Sequence, residues 1–214
     1  MSMQMINWDE LEDSSGNSFG QKFTGGKKTA LAIGVFDGLH RGHQALIAKI
    51  TEKAPEFLPT VVTFRENPKK FAFLRNKMPN KKEKTETIQN DIISFEEKIA
   101  LLESYGAELC VIIDFSENFS KISGRAFLEA LNRNLCPAYI GLGGNFHCGY
   151  HRDTDARAFK AMAESLGIKV EIIPSVMEEG LPVSSSRIRA ALNAGRIKEA
   201  ELLLGRSLHR FQGV

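Results

Sequence analysis

A chain of 214 residues, 43% hydrophobic and 25% charged, is long enough to bury a substantial core in one domain, or in one domain with a small appendage. The net charge of +2 is too small to indicate binding to nucleic acid or to an acidic membrane surface, and no apolar run is long enough to span a bilayer. The three cysteines are odd in number and widely spaced, and the N-terminus lacks the pattern of a signal sequence. These features predict a cytoplasmic protein without disulfides.

Strand and helix patterns alternate at least five times after a predicted loosely structured lead-in at residues 1–28. The predicted strands are 29–36, 60–64, 108–114, 137–142 and 168–173. The predicted helices are 42–53, 94–105, one that Ser123 caps, 153–166, one after the serines at 184–186, and 198–204. Ser94 and Glu97 form a capping-box pattern. This alternation predicts an α/β fold, a parallel sheet with helices on both faces, because each return to a parallel strand needs a crossover of about a helix's length.

Residues 65–93 form a long, weakly periodic connection that follows a strand. Connections of this length in a compact domain are usually functional or disordered, so the sequence predicts a lid over a site at the sheet edge. A lysine run within it is predicted to be a solvated face, and an anion-binding role is not favoured. Its members are Lys77, Lys81, Lys82 and Lys84.

The most informative stretch runs from the first apolar strand through Gly34 and Gly38 into His40 and His43 at a helix start. The first turn of a helix leaves N–H groups unpaired and favours negative charge. Two histidines three residues apart can both donate to one bound anion. A bare His-x-x-His pattern is common, but the strand and the glycines before it favour a nucleotide phosphate site over a pair of ordinary polar residues.

A second candidate is the serine-rich start of a later helix, which Arg187 and Arg189 follow. Serine caps are common, and alone this pattern is equally consistent with a capped amphipathic helix. Together with the histidine turn it predicts a second set of donors for the same phosphates, since guanidinium groups bind phosphate oxygens well. The carboxyl ends of parallel strands share one edge of a sheet, so the turns at 34–43 and 141–149 are predicted to share one cleft.

These motifs resemble the bacterial FAD synthetase family, the adenylyltransferase module of bifunctional riboflavin kinase/FAD synthetase enzymes. The family's opening motif is similar to Gly34-Val35-Phe36-Asp37-Gly38-Leu39-His40-Arg41-Gly42-His43. Its Ile-Ser-Ser-Thr-x-x-Arg signature is similar to residues 183–189, and its Gly-x-(Asp/Asn)-Phe-x-Phe-Gly turn is similar to residues 143–149. The resemblance covers residues 29–206. It implies a Rossmann-like nucleotidyltransferase fold that forms FAD and pyrophosphate from FMN and ATP, with Mg²⁺.

The resemblance also implies roles for individual residues. The residues implied as catalytic are His40, His43 and Arg189. Those implied to bind ATP are Gly34, Phe36, Asp37, Gly38, His40, His43, Asn145, Ser184, Ser185 and Arg189. Those implied to bind the flavin are Thr63, Phe64, Asn67 and Pro68. Mg²⁺ would be carried on the ATP phosphates, and no protein side chain is assigned to a metal.

Three departures from the family pattern affect this interpretation. Glu66 and Asn67 stand where the family has proline and histidine, in the loop expected near the flavin, and Cys148 replaces a phenylalanine. Residues 207–214 are similar to the entry of a riboflavin kinase module, and no such module follows in this sequence. The sequence therefore predicts an adenylyltransferase domain at 29–206 without riboflavin kinase activity.

Three alternatives stay open. The same fold could adenylylate another phosphorylated acceptor, such as a nicotinate or pantetheine phosphate. The chain could instead be a catalytically silent flavin- or nucleotide-binding protein, although two retained histidines and Arg189 argue against this. A zinc site from His147, Cys148 and His151 with the two turn histidines is disfavoured, because these residues belong to two separate loops. The sequence does not determine the oligomeric state.

Overall fold

The computed structural model describes residues 2–11, 20–70 and 91–208. The greater part of the predicted lid, including its lysine run, lies outside the described residues, as do residues 209–214 of the C-terminal segment. Within the described residues, the structure contains ten strands and seven α-helices of defined bounds, besides a helical turn at 68–70. In chain order the strands are β1 (Gln4–Asn7), β2 (Thr29–Ile33), β3 (Leu58–Phe64), β4 (Leu109–Ile113), β5 (Pro137–Gly143), β6 (His147–Cys148), β7 (Thr154–Asp155), β8 (Lys169–Ile173), β9 (Met177–Glu178) and β10 (Leu181–Pro182).

The helices begin close to the predicted caps. Their bounds are α1 (Gly20–Thr24), α2 (Arg41–Thr51), α3 (Phe95–Ser104), α4 (Gly124–Leu135), α5 (Ala156–Ser165), α6 (Ser185–Asn193) and α7 (Ile197–Leu204). Ser94 Oγ accepts a hydrogen bond from the Glu97 N–H at 3.1 Å, and Ser123 Oγ accepts one from the Ala126 N–H at 3.2 Å, so both predicted caps are confirmed.

Six strands form one parallel sheet in the order β1-β4-β3-β2-β5-β8. Alternate residues of each central strand face opposite sides. Leu31 and Ile33 of β2 pack with α4 and α5 on one face, whereas Ala30 and Ala32 pack with α2 and α3 on the other. The predicted α/β class, with helices on both faces of a parallel sheet, is therefore confirmed.

The N-terminal segment corrects the prediction of a loose lead-in at residues 1–28. Gln4–Asn7 pairs in parallel with β4 as an edge strand, and Gly20–Thr24 is helical. Ile6 is the buried residue of this strand and joins the core on the α4 side. The sheet therefore extends one strand beyond the five that the sequence predicts.

The strand order reverses direction at β2. Successive strands β3 and β4 lie on one side of β2, and β5 and β8 lie on the other. In open parallel sheets, ligands bind in the crevice that this reversal opens beyond the carboxyl ends of the strands. The turns after β2 and β5 leave that edge side by side, as the sequence predicts, since β2 and β5 are parallel neighbours.

Candidate functional site: the histidine turn and its surroundings

The turn between β2 and α2 has an unusual backbone. Phe36, Gly38 and Leu39 adopt positive φ values of 53°, 78° and 41°. This conformation is natural for glycine but costs free energy for phenylalanine and leucine. Both side chains are fully buried in the core. Packing therefore holds the turn in this shape, which brings the chain to the start of α2 with His40 as the N-cap residue.

The two histidines of this turn lie face to face. The imidazoles of His40 and His43 are stacked, with ring centroids 3.7 Å apart and planes 15° from parallel, and the Phe36 ring meets His43 edge-on at 5.2 Å. Among the described residues, both Nδ1 atoms are buried without a hydrogen-bond partner. Buried polar atoms are normally paired, so these two unpartnered nitrogens make the turn a candidate ligand site.

Burial holds both imidazoles neutral. The pKa of His40 is lowered from 6.5 to about 4, mainly by desolvation and also by the charge of Arg206, against the opposing effect of a hydrogen bond with its own backbone. The pKa of His43 also lies well below its usual value, because of desolvation and the neighbouring charges of His40 and Lys98. Each neutral ring has one N–H to donate, and a bound phosphate would raise both pKa values by favouring the protonated form.

Asp37 connects the histidine turn to α6. One carboxylate oxygen accepts the Ile92 N–H at 2.8 Å, and the other forms a buried ion pair with Arg189. The Asp37 carbonyl accepts a hydrogen bond from Ser185 Oγ at 2.9 Å, while Ser184 caps α6 by accepting the Arg187 N–H at 3.3 Å. The N-terminus of α6 is thereby fixed beside the histidine turn.

Arg187 and Asn145 lie outside this contact network. The Arg187 guanidinium donates to the Glu178 carbonyl at 2.8 Å and pairs with Glu179 and Glu199, so it faces the β9–β10 hairpin and α7. Asn145 is exposed on the loop after β5, at the same sheet edge. Gly34 precedes the turn and donates its N–H to the Val62 carbonyl at 3.1 Å.

The predicted flavin-binding residues lie at the carboxyl end of β3, next to the histidine turn. Thr63 is buried and donates through Oγ1 to the Val35 carbonyl at 3.3 Å. Phe64 belongs to an aromatic cluster with Phe115 and Phe119, with centroid distances of 5.9 and 6.1 Å. Asn67 and Pro68 follow and are half-buried; Pro68 begins a helical turn, at the start of which Asn67 Oδ1 accepts the Lys69 N–H at 3.1 Å.

The structure adds two residues that the sequence did not single out. Arg206, after α7, donates through Nη1 to the carbonyls of Gly38 and Leu39 at 2.9 and 3.3 Å. Gln44 Nε2 donates both to the Leu39 carbonyl at 2.9 Å and to the Leu204 carbonyl at 2.7 Å. The end of α7 therefore braces the histidine turn from behind.

The described residues contain no group of three or more His, Cys, Asp or Glu side chains that could hold a metal ion. The carboxylate of Asp37, in the same turn as the histidines, already uses both oxygens. At the disfavoured zinc position, His147 contacts Arg152 instead, with 3.1 Å between His147 Nδ1 and Arg152 Nη2.

A parallel sheet whose strand order reverses at β2, with a glycine turn and a helix N-terminus at the reversal, is typical of α/β nucleotide-binding proteins. The chain matches the family model for FAD synthetase over residues 23–187, and it belongs to that family. The resemblance found in the motifs is thereby confirmed.

Curated relatives agree with this assignment. The chain is 31% identical over 181 residues to a bifunctional riboflavin kinase/FMN adenylyltransferase from Buchnera aphidicola subsp. Acyrthosiphon pisum, covering 83% of this chain and 54% of the relative. It is 30% identical over 184 residues to the protein of the same name from Bacillus subtilis, again covering 83% of this chain and 54% of the relative. The chain thus spans about half the length of the curated relatives it matches.

A solved structure supports the fold. The chain superposes on a crystal structure described as a macrolide-efflux protein from Streptococcus pneumoniae with a TM-score of 0.74 and 25% sequence identity. The match covers 96% of this chain and 60% of that chain. Among the described residues, no helix has both the length and the apolar character that crossing a membrane requires.

Proposed function

We propose that this chain is an FMN adenylyltransferase that converts ATP and FMN to FAD and pyrophosphate. The observation that carries the proposal is the stacked His40–His43 pair, whose two Nδ1 atoms are buried without a partner among the described residues. The pair lies where the strand order reverses, in a chain that belongs to the FAD synthetase family. The free thiols of the cysteines fit the reducing, cytoplasmic environment that the sequence predicts.

The reaction forms one bond and breaks one. An oxygen of the FMN phosphate attacks the α-phosphorus of ATP, and the bond from that phosphorus to the β-phosphate oxygen breaks, so that pyrophosphate leaves. Negative charge moves toward the leaving group. Catalysis of such transfers rests on positioning and on donors aimed at the developing charge. We assign that role to the N–H groups of His40 and His43.

The remaining proposed ATP residues divide into contacts and supports. Ser184, Ser185 and Arg189, at the start of α6, would hold the triphosphate, Gly34 and Gly38 would let the backbone approach it, and Asn145 would contribute a polar contact. Phe36 is fully buried and Asp37 is engaged with Arg189, so both act from behind the site. Mg²⁺, bound by the phosphates, would neutralise part of their charge.

On the acceptor side, we assign the flavin to Thr63, Phe64, Asn67 and Pro68. These residues lie at the end of β3, adjacent to the strand that carries the histidine turn. Phe64 contributes a partly buried aromatic ring at the end of this strand, where it packs edge-on with Phe115 and Phe119. The changes at Glu66 and Asn67 make the choice of acceptor the part of the proposal that most needs a test.

The direct test is to incubate the purified protein with ATP, Mg²⁺ and FMN and to detect FAD and pyrophosphate by chromatography. Parallel reactions replace FMN with nicotinate mononucleotide or 4′-phosphopantetheine. We expect product only with FMN. Product with another acceptor and none with FMN would contradict the flavin assignment, and flavin binding without any product would indicate a silent binding protein.

The His43→Ala variant tests the catalytic assignment. We expect turnover to fall by about two to three orders of magnitude, as loss of one transition-state donor usually does. ATP affinity should change far less, because the donor matters most when charge moves to the leaving group. His151→Ala, which removes an exposed imidazole, is the matched control and should retain activity. Equal losses of ATP affinity and turnover in His43→Ala would show a ground-state contact only.

A further inference from the structure

A polar pocket lies beside the histidine turn, between the carboxyl ends of β2 and β3 and the start of α3. Its charged and polar lining residues are Asp37, Arg65, Asn67, Asp91 and Lys98, with Phe95 as an apolar wall. Lys98 is only 6% exposed, which is rare for a lysine. The pocket therefore contains a buried ammonium group next to the proposed reaction centre.

Three of the four charges in this pocket have an oppositely charged partner. Asp37 pairs with Arg189, Asp91 Oδ2 lies 2.6 Å from Lys70 Nζ, and Arg65 Nε lies 2.7 Å from Asp114 Oδ1.

Lys98 is different. Its Nζ donates to the Phe64 carbonyl at 2.6 Å, and among the described residues no carboxylate lies within 4.0 Å of it. Nζ also lies over the Phe95 ring, 5.5 Å from its centroid, but of the three N–H donors of the ammonium only one has a hydrogen-bond acceptor among the described residues. A buried charge without a counter-charge is unfavourable, and burial accordingly lowers the pKa of Lys98, against the opposing effect of the Asp91 and Asp37 carboxylates. An anionic ligand would supply the missing partner.

The position of the pocket restricts which anion this can be. Asp37 is a wall of the pocket and also a residue of the histidine turn, and the charge of Lys98 contributes to the lowered pKa of His43. On the other side the pocket is bounded by Asn67, in the loop assigned to the flavin. A group bound at Lys98 therefore lies between the site of phosphoryl attack and the acceptor side.

We propose that Lys98 binds the phosphate group of the acceptor, through its Nζ and a phosphate oxygen that does not attack ATP. The inference rests on the proposed function, which makes that acceptor FMN. Lys98 takes no proton in the reaction. It offsets the charge of the FMN phosphate and fixes the group, so that another oxygen of the same phosphate faces the α-phosphorus of ATP.

The test compares two ligands that differ only in the phosphate. Dissociation constants for FMN and riboflavin are measured by quenching of flavin fluorescence in the wild-type protein and in Lys98→Met, Lys98→Arg and the control Lys160→Met, whose ammonium lies on the exposed side of α5 near Glu164. We expect Lys98→Met to lose about 10- to 100-fold in FMN affinity, the range for a hydrogen bond to a charged group, and to bind riboflavin within about threefold of wild type. Lys98→Arg should keep part of the preference for FMN, and Lys160→Met all of it.

A structural role for Lys98, through its bond to the Phe64 carbonyl, would weaken both flavins alike, and equal losses would overturn the inference. A second measurement needs no destabilised variant. In the wild-type protein with ¹³Cε-labelled lysine, the NMR signal that Lys98→Arg lacks should shift with FMN and not with riboflavin. If the signal shifts equally with both ligands, the proposed role of Lys98 is wrong but the proposed function stands. If the wild-type protein binds neither flavin, the proposed function is wrong as well.

Discussion

The buried histidine pair predicts a specific loss of stability in mild acid. The pKa of His40 is about 4 in the folded protein, whereas an unfolded histidine titrates near 6.5. The unfolded chain therefore binds the proton first as the pH falls. Stability that is present above pH 6.5 declines from there down to about pH 4, where the folded protein also becomes protonated.

The size of this loss follows from the two pKa values. For His40 alone, moving from pH 7.5 to pH 5.0 costs about 2 kcal/mol of unfolding free energy, and the full effect below the folded pKa is about 3 kcal/mol. The lowered pKa of His43 acts in the same direction. Asp37, whose pKa burial raises, acts in the opposite direction, because the folded protein binds its proton first.

Urea denaturation at pH 7.5 and pH 5.0 isolates the contribution of His40. The wild-type protein, His40→Gln and the exposed control His151→Gln are compared without ligand. We expect His40→Gln to lose about 2 kcal/mol less than wild type between the two pH values, and His151→Gln to behave like wild type. An equal loss in wild type and His40→Gln would refute the idea that burial holds this imidazole neutral.

Three further outcomes test other features of the site. Asp37→Asn should lower the unfolding free energy, measured by urea denaturation, by about 3 to 5 kcal/mol, because it removes the carboxylate charge from the buried ion pair with Arg189. A change below about 1 kcal/mol would contradict this. Gly149→Ala should cost about 3 kcal/mol or more, since φ is +83° and the new Cβ would lie 2.4 Å from the Gly124 nitrogen, whereas Gly143→Ala, with nothing within 4 Å, should be nearly neutral in the same assay. Pyrophosphate binding at pH 6 should be coupled to proton uptake, because the bound anion raises the pKa values of the imidazoles. Calorimetry in two buffers of different ionisation enthalpy measures this uptake. Binding heats that do not depend on the buffer would contradict a contact with the histidines.

The central fold could be predicted from the sequence because its signals are local. The core strands are short apolar runs, and the caps at Ser94 and Ser123 follow directly from their spacing to the next N–H groups. The start of α5 differs from the predicted helix, which begins at residue 153. α5 is capped by Asp155, whose Oδ1 accepts the Ala158 N–H, while Asp153 accepts the distant Gly124 N–H instead. A carboxylate with a choice between near and distant partners is not resolved by spacing alone.

The first strand escaped prediction for a related reason. Gln4–Asn7 has four residues, and Ile6 alone is buried, so it shows neither a long apolar run nor a clear alternation. Its conformation depends on pairing with β4, about a hundred positions further along the chain. Tertiary context decided this element, as it often does for short edge strands.

Of the candidate site, the histidines and the serine-capped helix were accessible from the sequence because strand, glycine turn and helix cap are contiguous. Lys98 left one unused signal: it lies three residues after Phe95 and four before Leu102, on the apolar face of α3, where a lysine is unexpected. Arg206 left none, since its contacts with the turn depend wholly on how distant segments meet.

The brace formed by Gln44 and Arg206 sets the order in which the site can be assembled during synthesis. Its hydrogen bonds join residues 160 and 168 positions apart in the chain. A ribosome-bound chain that ends just after α6 already contains both histidines and Arg189, yet the carbonyls of Gly38 and Leu39 still lack their donor from Arg206. Long-range contacts form late because the intervening chain must first be ordered. The strained turn that presents the histidines is therefore completed only after α7 has been made and has docked.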